Sequence, residues 1–544
     1  MSVKLKVLLV CLFLGNSNFM SAQNTVGTTY NSSAVEEGYT LFEFMGDTTI
    51  YLIDNCGRVI NQWESEFTAG TSVYLLEDGS IIRGGKTPTT YFPAGGQGGV
   101  LEKFDWEGNL TWQFFYSDSL QSLHHDFAVM PNGNILATAF ELISKQEAID
   151  NGRDTSRLSE NKLWPEKIIE IQPQGINGAT IVWEWRMWNH LTQNHDDTKL
   201  NYGVVEEHPE LFDLNFMTTT IADWAHANSL DYNPWLDQIA LSLNFFNEFV
   251  ILDHSTTTAE AASSTGGNSG KGGDILYRYG NPQSYGRGDS TNQVSYSQHD
   301  VHWIGEGLTD NGKIMFYNNG TDRPEGDYSS IDIITPLTDV NGSYMLEADT
   351  TFGPDSPEWT YVAEIPTDFF SPITSSAQRL PNGNTLICQG RSGRIFEINA
   401  NQDVVWEYLS PINNIGILTQ GDVPSGNRLI FRAKKYSPSF PGFTGRDLTP
   451  GLPIELNPNL NNCLSLDVAD LVGPKITVYP NPVYDYLTIE IENSSCNCLV
   501  EIFDVFGKSV FNEIYAAPIN LSFLTNGVYY LLVEGKMTKL IKSA

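Results

Sequence analysis

The sequence predicts an all-β protein: a six-bladed β-propeller over residues 35–465, followed by a small C-terminal antiparallel β-sandwich over residues 473–544. Two observations lead to this prediction. A unit of paired strand-forming segments recurs through the first region, and the alternation of apolar and polar residues changes after it. One four-stranded sheet cannot bury both faces alone, so copies in series are expected to close into a ring. The rival architecture is an array of two-sheet sandwiches, which the length and regularity disfavour.

Each copy of the unit begins with two strands around a turn. These segments are YLIDNCGRVINQW, LEKFDWEGNLTWQF, IIEIQPQGINGATIVWEW, FVILDHS with DILYRYG, SIDIITPLTDVNGSYML and RIFEINANQDVVWEY. Tryptophans recur late in these segments, as expected of outer-strand side chains that pack between neighbouring sheets; they are Trp63, Trp112, Trp183, Trp185 and Trp406.

The second half of each copy is an apolar run, a turn and a β-branched run. These segments are SVYLLEDGSII, FAVMPNGNILAT, ANSLDYNPWLDQIALS, HWIGEGLTDNGKIMFY, SSAQRLPNGNTLICQG and ILTQGDVPSGNRLIFRA. Their Asn-Gly and Asp-Gly steps are strong hairpin signals. Six copies of four strands therefore predict six blades.

Residues 1–22 have the pattern of a secretory signal peptide. Lys4 and Lys6 precede an apolar core at residues 7–14, and small residues precede Gln23. No other run approaches the roughly 18 apolar residues of a membrane span, so the mature protein is expected to be soluble and exported. The formal net charge of −34 disfavours nucleic acid and anionic membranes as partners.

The cysteines outside the signal peptide are too few for a disulfide-built fold. Cys56 and Cys463 could join the two ends of a ring, although spacing alone fixes no pairing. Cys496 and Cys498 are too close for an ordinary disulfide, and no second Cys/His pair supports a zinc site.

Three histidines occupy the same place in successive copies of the unit. His125, His226 and His299 each stand at the start of the apolar run, and Ser375 takes this place in the fifth copy. The first strand of each blade lines the channel of a propeller, so these side chains are predicted to converge at one rim. Imidazoles in that position could attack an electrophile and transfer protons, or could hold a metal with an open position.

Five ordered motifs resemble the bacterial arylsulfate sulfotransferases, which are six-bladed propellers that transfer a sulfuryl group between phenols. The motifs are His125 before Pro131-Asn132-Gly133, Asp223-Trp224-Ala225-His226-Ala227-Asn228-Ser229, Gln298-His299, Asn318-Asn319-Gly320-Thr321-Asp322-Arg323 and Phe370-Ser371-Pro372-Ile373-Thr374-Ser375. The resemblance implies ping-pong transfer without metal, cofactor or nucleotide donor. It implies that His299 becomes sulfohistidine, while His125 and His226 hold the sulfuryl oxygens and one of them protonates the leaving phenolate.

The expected substrate-binding residues are Asn228, Asn244, Arg323 and Ser375. Asn244 stands where the family has an arginine, and Arg323 is one candidate for the missing cation. Two alternatives to the enzyme therefore stay open: a non-catalytic propeller that binds a polyanion, glycan or surface partner, and a three-histidine metal hydrolase.

The last 70 or so residues resemble the C-terminal sorting domain of type IX secretion substrates. The motifs are Tyr479-Pro480-Asn481-Pro482, Phe503-Asp504-Val505-Phe506-Gly507-Lys508, Asn526-Gly527-Val528-Tyr529 and a basic end. The resemblance implies the secretion machinery as a partner and export across the outer membrane, with the protein either attached to the cell surface or released.

Overall fold

The computed structural model describes residues 24–88, 91–216, 221–460, 463, 476–491, 499–504, 508–515, 518–533 and 536–543. The predicted signal peptide lies outside these residues, as do Cys496 and Cys498. The chain divides into two compact units, Met1–Leu464 and Ser465–Ala544. In the described residues the regular secondary structure of both units is mostly β-strand, which confirms the all-β prediction.

The first unit holds strands β1–β31. Strands β1–β8 span Gly27–Asn31, Tyr39–Phe44, Thr49–Asp54, Val59–Glu64, Ala69–Leu75, Ile81–Lys86, Gly99–Phe104 and Leu110–Phe115. Strands β9–β16 span Gln121–Val129, Ile135–Glu141, Ile143–Ser144, Lys162–Leu163, Glu166–Gln174, Gly178–Arg186, Leu191–Thr192 and Phe212–Asp213. Strands β17–β24 span Ala227–Asn233, Gln238–Leu243, Glu248–Asp253, Tyr277–Tyr279, His299–Trp303, Ile314–Asn318, Ser330–Ile334 and Trp359–Tyr361. Strands β25–β31 span Ser376–Arg379, Thr385–Gln389, Arg394–Ile398, Val404–Leu409, Ile412–Asn413, Gly416–Ile417 and Ile430–Tyr436.

Helices are short in this unit. The α-helices are α1 at Lys145–Asp150 and α2 at Thr258–Ala261. Single 3-10 turns span Thr155–Arg157, Met187–Asn189, Val205–Glu207, Asn244–Phe246, Pro282–Tyr285, Ser290–Asn292, Pro366–Asp368, Gly390–Ser392 and Pro441–Phe443. None of the described helices is long and apolar enough to cross a membrane.

Six antiparallel sheets of four or five strands form the described part of this unit. From the inner strand outwards they are β31-β2-β3-β4, β5-β6-β7-β8, β9-β10-β13-β14, β17-β18-β19-β20, β21-β22-β23-β24 and β25-β26-β27-β28-β1, called sheets 1 to 6 below. The inner strands contact one another in this order, and β25 contacts β31, so the sheets form a closed ring. Each pair of neighbouring sheets encloses its own apolar cluster.

Hydrogen bonds join the inner strands of adjacent sheets around the channel. Asp126 accepts from the Leu230 N–H at 3.0 Å, and Ser229 Oγ accepts from the Val301 N–H at 2.9 Å. The same link recurs further round the ring, with the Ala377 N–H donating to Asp300 at 3.0 Å and the Ala433 N–H donating to Ser376 Oγ at 3.2 Å. A short polar side chain after the start of each of these strands therefore fixes the next strand along.

The predicted tryptophan contacts are present between sheets. Trp63 donates from Nε1 to the Asp105 carbonyl at 2.8 Å, Trp112 to Gly178 at 2.9 Å, and Trp406 to Asn55 at 2.7 Å. In each case the carbonyl belongs to the next sheet, so the buried indole satisfies its N–H across the interface that it fills.

The last copy of the repeat differs from the prediction. Its sequence was expected to form a hairpin of its own, but only β31 lies at the channel, and it pairs with β2 near the start of the chain, with Tyr39 opposite Tyr436. Strand β1 in turn pairs with β28, with Gly27 opposite Leu409. A ring has no free end, so segments from both ends of the repeat region complete sheets 1 and 6. A disulfide also joins Cys56 in sheet 1 to Cys463.

The second unit is a pair of small antiparallel sheets. Strands β32–β38 span Ile476–Tyr479, Tyr486–Ile491, Leu499–Asp504, Ser509–Ile514, Ile519–Asn520, Gly527–Val533 and Lys536–Lys542. They form the sheets β32-β33-β36 and β35-β34-β37-β38. Leu487 from one sheet and Val500 and Leu531 from the other share an apolar core, which is the packing of a sandwich.

Candidate active site

The three predicted histidines meet at one mouth of the channel. His125 lies in β9, His226 directly precedes β17, and His299 is the first residue of β21. The rings of His125 and His226 are 4.5 Å apart between centroids, in an edge-to-face arrangement. His226 and His299 each lower the pKa of His125, and His226 lowers that of His299, so all three imidazoles are within electrostatic range of one another.

The backbone is strained where these side chains emerge. His125 has φ 46° and His226 has φ 55°, in the left-handed region that non-glycine residues avoid. The ladder of each inner strand is also interrupted by an irregularity at this level. Bulges re-aim side chains, and strain of about 1–3 kcal/mol per residue persists only where the surrounding structure enforces it.

Hydrogen bonds fix the tautomer of His299. Asn319 Nδ2 donates to the Ser371 carbonyl at 2.7 Å and the Thr374 carbonyl at 3.0 Å, so its Oδ1 faces His299 Nδ1 at 2.8 Å. The ring proton therefore lies on Nδ1, and the Ser297 carbonyl also accepts from this nitrogen at 3.1 Å. Nε2 carries the lone pair and accepts from the Thr374 N–H at 3.2 Å.

Burial sets the charge of His299. Loss of hydration lowers its pKa to about 4, with a further lowering from the charge of His226, although the hydrogen bond to Asn319 opposes the change. His299 is therefore neutral near pH 7. Its Nε2 is a nucleophile that needs no prior deprotonation.

His226 has the opposite character. Burial alone would lower its pKa, but the carboxylates of Asp223 and Glu166 more than offset this effect and raise it. Asp223 Oδ2 lies 2.5 Å from His226 Nδ1, and the ring stacks on Phe245 at 4.5 Å. With Nδ1 held by the carboxylate, Nε2 is left to donate a charge-assisted hydrogen bond.

A second histidine stands beside His125 and was not predicted. His124 Nδ1 lies 2.9 Å from His125 Nδ1, and the His124 ring stacks on Phe140 at 3.8 Å. On its other side, His124 Nε2 lies 2.9 Å from Glu166 Oε2. Burial, reinforced by the neighbouring imidazoles, holds the pKa of His125 well below its usual value.

A glycine loop covers the His125 and His226 rings. Gly96 has φ 61°, and a Cβ there would be 2.2 Å from His125 Cδ2. A Cβ on Gly95 would be 3.4 Å from His226 Nε2 and 4.0 Å from His125 Nε2, so both nitrogens lie close to this exposed glycine. Phe92, packed on Phe140 and Trp164, anchors the loop.

The profile of the arylsulfotransferase family matches residues 24–410, which is more than half of the chain and contains all of these histidines. The chain belongs to the arylsulfotransferase family. The secretion system C-terminal sorting domain matches residues 477–544. This member of the family therefore carries a signal for export across the outer membrane, to the cell surface or the exterior.

Other comparisons are weak. No curated protein matches the sequence. A solved protein of unknown function from Bacteroides caccae is 10% identical, with a TM-score of 0.38 over 74% of this chain and 99% of its own. A 6-phosphogluconolactonase described as putative, from Bacteroides fragilis, is 11% identical, with a TM-score of 0.34 over 75% and 99%. An inactive variant of virginiamycin B lyase from Staphylococcus aureus is 10% identical, with a TM-score of 0.31 over 70% and 86%.

The residues predicted to bind substrate bond mainly to the protein itself. Asn228 and Asn244 both donate from Nδ2 to the Gln298 carbonyl, at 2.7 and 3.4 Å, and thereby support the backbone next to His299. Ser375 Oγ donates to Ser371 Oγ at 2.9 Å and accepts from the Gly390 N–H at 3.0 Å. These contacts support the backbone that positions the histidines.

Arg323 is engaged within its own turn. It donates from Nε to the Tyr328 carbonyl at 3.1 Å and from Nη2 to Ser330 Oγ at 2.8 Å, and its guanidinium lies over the Tyr328 ring. These contacts are those of a residue that pins a turn. None of these contacts of Arg323 is with a histidine of the site. They therefore give no sign that Arg323 takes the place of the family arginine that Asn244 replaces.

Sequence reasoning missed Arg432, a buried cation that lowers the pKa of His299. Its Nη2 lies 2.8 Å from Asp126 Oδ2 and its Nε 2.8 Å from Asp300 Oδ1. Arg432 also donates to the Tyr74 hydroxyl. Two carboxyl groups thus share one guanidinium, which links β31 to β9 and β21. No three potential metal ligands cluster in the described residues.

Proposed function

We propose that this protein transfers a sulfuryl group from an aryl sulfate to a phenolic acceptor through a sulfohistidine on His299. The observation that carries the proposal is that the contacts of two neighbouring imidazoles shift their pKa values in opposite directions. Burial lowers the pKa of His299 to about 4 and its Nε2 carries the lone pair, whereas Asp223, in contact with His226 Nδ1, raises the pKa of His226. Environments that push two pKa values apart assign the roles of nucleophile and cation.

In the first half-reaction His299 Nε2 attacks sulfur. The S–N bond forms as the S–O bond to the aryl oxygen breaks, and the leaving phenolate takes a proton from His125 or His226. The proton of His299 stays on Nδ1, which donates to Asn319 Oδ1 and to the Ser297 carbonyl, so the positive ring of the sulfohistidine is stabilised by two acceptors. A phenol with a pKa of about 10 is a far better leaving group than an alcohol, which favours aryl esters as donors.

The second half-reaction reverses the first on another phenol, which gives ping-pong kinetics. The imidazolium of His226 supports binding of the sulfuryl oxygens in both halves, because charge-assisted hydrogen bonds are about twice as strong as neutral ones. This charge supplies part of what Asn244 lacks. The replacement also favours a second candidate function, a propeller that binds a sulfated or other anionic ligand without turnover.

Intact-mass spectrometry after mixing with an aryl sulfate tests the proposal. We expect an adduct of about 80 Da on His299, with one equivalent of phenol released, and its loss on adding an acceptor phenol. His299→Ala should abolish both events, whereas the exposed control His208→Ala should retain them. Binding of the aryl sulfate without adduct or transfer would instead establish the non-catalytic function.

A further inference from the structure

We propose that Glu166 and His124 are positioning residues that store and return the proton which His125 exchanges with substrate phenols. The inference rests on the proposed function and assigns the acid–base role to His125. His226 is then a fixed charge, because Asp223 holds its Nδ1 and its pKa is raised.

The three groups form a continuous buried chain. Glu166 Oε1 accepts from the Ala227 N–H at 2.8 Å, which leaves Oε2 directed at His124 Nε2, 2.9 Å away in a bent contact. His124 Nδ1 then meets His125 Nδ1 at 2.9 Å. His124 is 1% exposed and Glu166 is fully buried, so water does not exchange protons with either group directly.

Electrostatics explain why a relay is needed. His125 is surrounded by His226, His124 and His299, and burial with these neighbours holds its pKa well below the usual value. An imidazolium on His125 is therefore costly. The same positive charge on His124 would lie 2.9 Å from the Glu166 carboxylate, and both side chains are buried.

Hydrogen bonding between the two rings makes the transfer possible. When His124 is protonated, its Nδ1–H donates to His125 Nδ1, and the His125 proton sits on Nε2, which lies close to the exposed Gly95. As the aryl oxygen leaves sulfur, it takes the Nε2 proton. His125 Nδ1 takes the proton of His124 Nδ1, and His124 is left neutral, with its Nε2–H directed to Glu166.

The second half-reaction runs this transfer backwards. The acceptor phenol gives its proton to His125 Nε2 while its oxygen attacks sulfur, and the electron pair of the S–N bond returns to His299 Nε2. The Nδ1 proton of His125 moves to His124, which becomes the cation beside Glu166. Every proton released in the first half is thus restored in the second.

Glu166→Gln tests the relay. The amide still accepts from Ala227 but donates to His124 Nε2, which forces the His124 proton onto Nδ1 and locks His125 with its proton on Nε2. General acid–base catalysis contributes about 10²–10⁴-fold. We therefore expect transfer to a phenol with a pKa near that of tyrosine, about 10, to fall by at least about 100-fold. Both assays use the sulfate of an acidic phenol as donor, because its phenolate leaves sulfur without a proton and the first half-reaction then does not need the relay. Transfer to an acidic acceptor phenol, already ionised at neutral pH, should change by less than about 3-fold, since an ionised acceptor needs no base.

The dependence on acceptor acidity separates the relay from a structural effect. Glu170→Gln makes the same change beside His254, in a buried pair outside the site, and should leave the dependence unaltered. His124→Asn should repeat the selective loss if Glu166→Gln fails to fold. Equal losses for both phenols, or no loss, would overturn the relay. No transfer by the unmodified protein would overturn the proposed function instead.

Discussion

The second nitrogen of each imidazole decides the chemistry of the first. His299 Nδ1 faces the neutral acceptors Asn319 and Ser297, so no negative charge there stabilises a positive charge on the buried ring. His226 Nδ1 faces the carboxylate of Asp223, which raises the pKa of the ring against the effect of burial. Two side chains of one type thus have pKa values shifted in opposite directions within one channel mouth, as the proposed roles of nucleophile and cation require.

Replacing Asp223 by Asn should remove the charge of His226 at neutral pH. The carboxylate raises the pKa of His226, so without it the imidazolium is lost at a lower pH and activity falls earlier as pH rises. We expect kcat/KM at pH 7 to fall by about 10–100-fold and the alkaline limb of the pH–rate profile to shift to lower pH. Asp237→Asn, which alters the His254 pair, is the control. An unmoved limb in Asp223→Asn would contradict this role.

Site residues were predictable where the repeat itself marks them. His125, His226 and His299 follow from register, because equivalent strand starts meet at the axis of a ring. His124 was missed because adjacent strand residues face opposite sides, and only a bulge in β9 brings both rings into one chain. Arg432 was missed because its strand pairs with β2, almost 400 residues away in the sequence, and no local pattern shows that.

At the scale of elements, the loop over the histidines contacts them through its backbone alone. Gly95 and Gly96 lie against the two rings with no side chain between, and the Gly96 carbonyl accepts from the His125 N–H at 2.8 Å. Because the loop comes from sheet 2 and the two rings from sheets 3 and 4, three neighbouring sheets build this side of the mouth, and His299 is contributed by sheet 5. The segment AGGQGG does not predict this contact, since glycine runs also occur in ordinary turns.

Gly96→Ala should impair catalysis more than folding. The new methyl would lie 2.2 Å from His125 Cδ2, so the ring must move, and a misplacement of about 1 Å can cost about 100-fold in rate. Gly133→Ala is a matched control, because Gly133 also has positive φ, 85°, but nothing lies within 4 Å of its added methyl. Both changes should cost about 1 kcal/mol of backbone strain, measurable by thermal unfolding. Equal activities of the two variants would show that the loop does not position His125.

The hairpins within the sheets could be predicted from the sequence, but the pairing of strands that closes the ring could not. Alternation and Asn-Gly turns indicate the hairpins within sheets 2 to 6, because those signals are local. The last segment does not follow this local pattern. Strand β31 has the composition of an inner strand, but it pairs with β2 and not with a strand of its own copy. Its partner is determined by the geometry of a ring, which is a property of the whole unit.

For the whole molecule, ring closure has both covalent and non-covalent parts. The Cys56–Cys463 disulfide spans 407 residues and holds the end of the first unit to sheet 1. Cys56→Ser with Cys463→Ser should lower the free energy of unfolding by about 2–5 kcal/mol, because the unfolded chain regains conformational freedom. Transfer activity at 25 °C should be unchanged, since the disulfide is not among the contacts of the histidines. A reductant should lower the free energy of unfolding of the native protein by a similar amount. A double variant as stable as the native protein would contradict the prediction.

Strand β31 carries Arg432, the guanidinium on which Asp126 and Asp300 both converge. His125, His226 and His299 all precede it in the chain, so a nascent polypeptide can contain all three imidazoles and still lack the strand that closes the ring. Until β31 is synthesised, the buried side chains of Asp126 and Asp300 lack their shared guanidinium. We therefore expect the proposed transfer to require complete synthesis of the first unit, and a product that ends before β31 to be inactive.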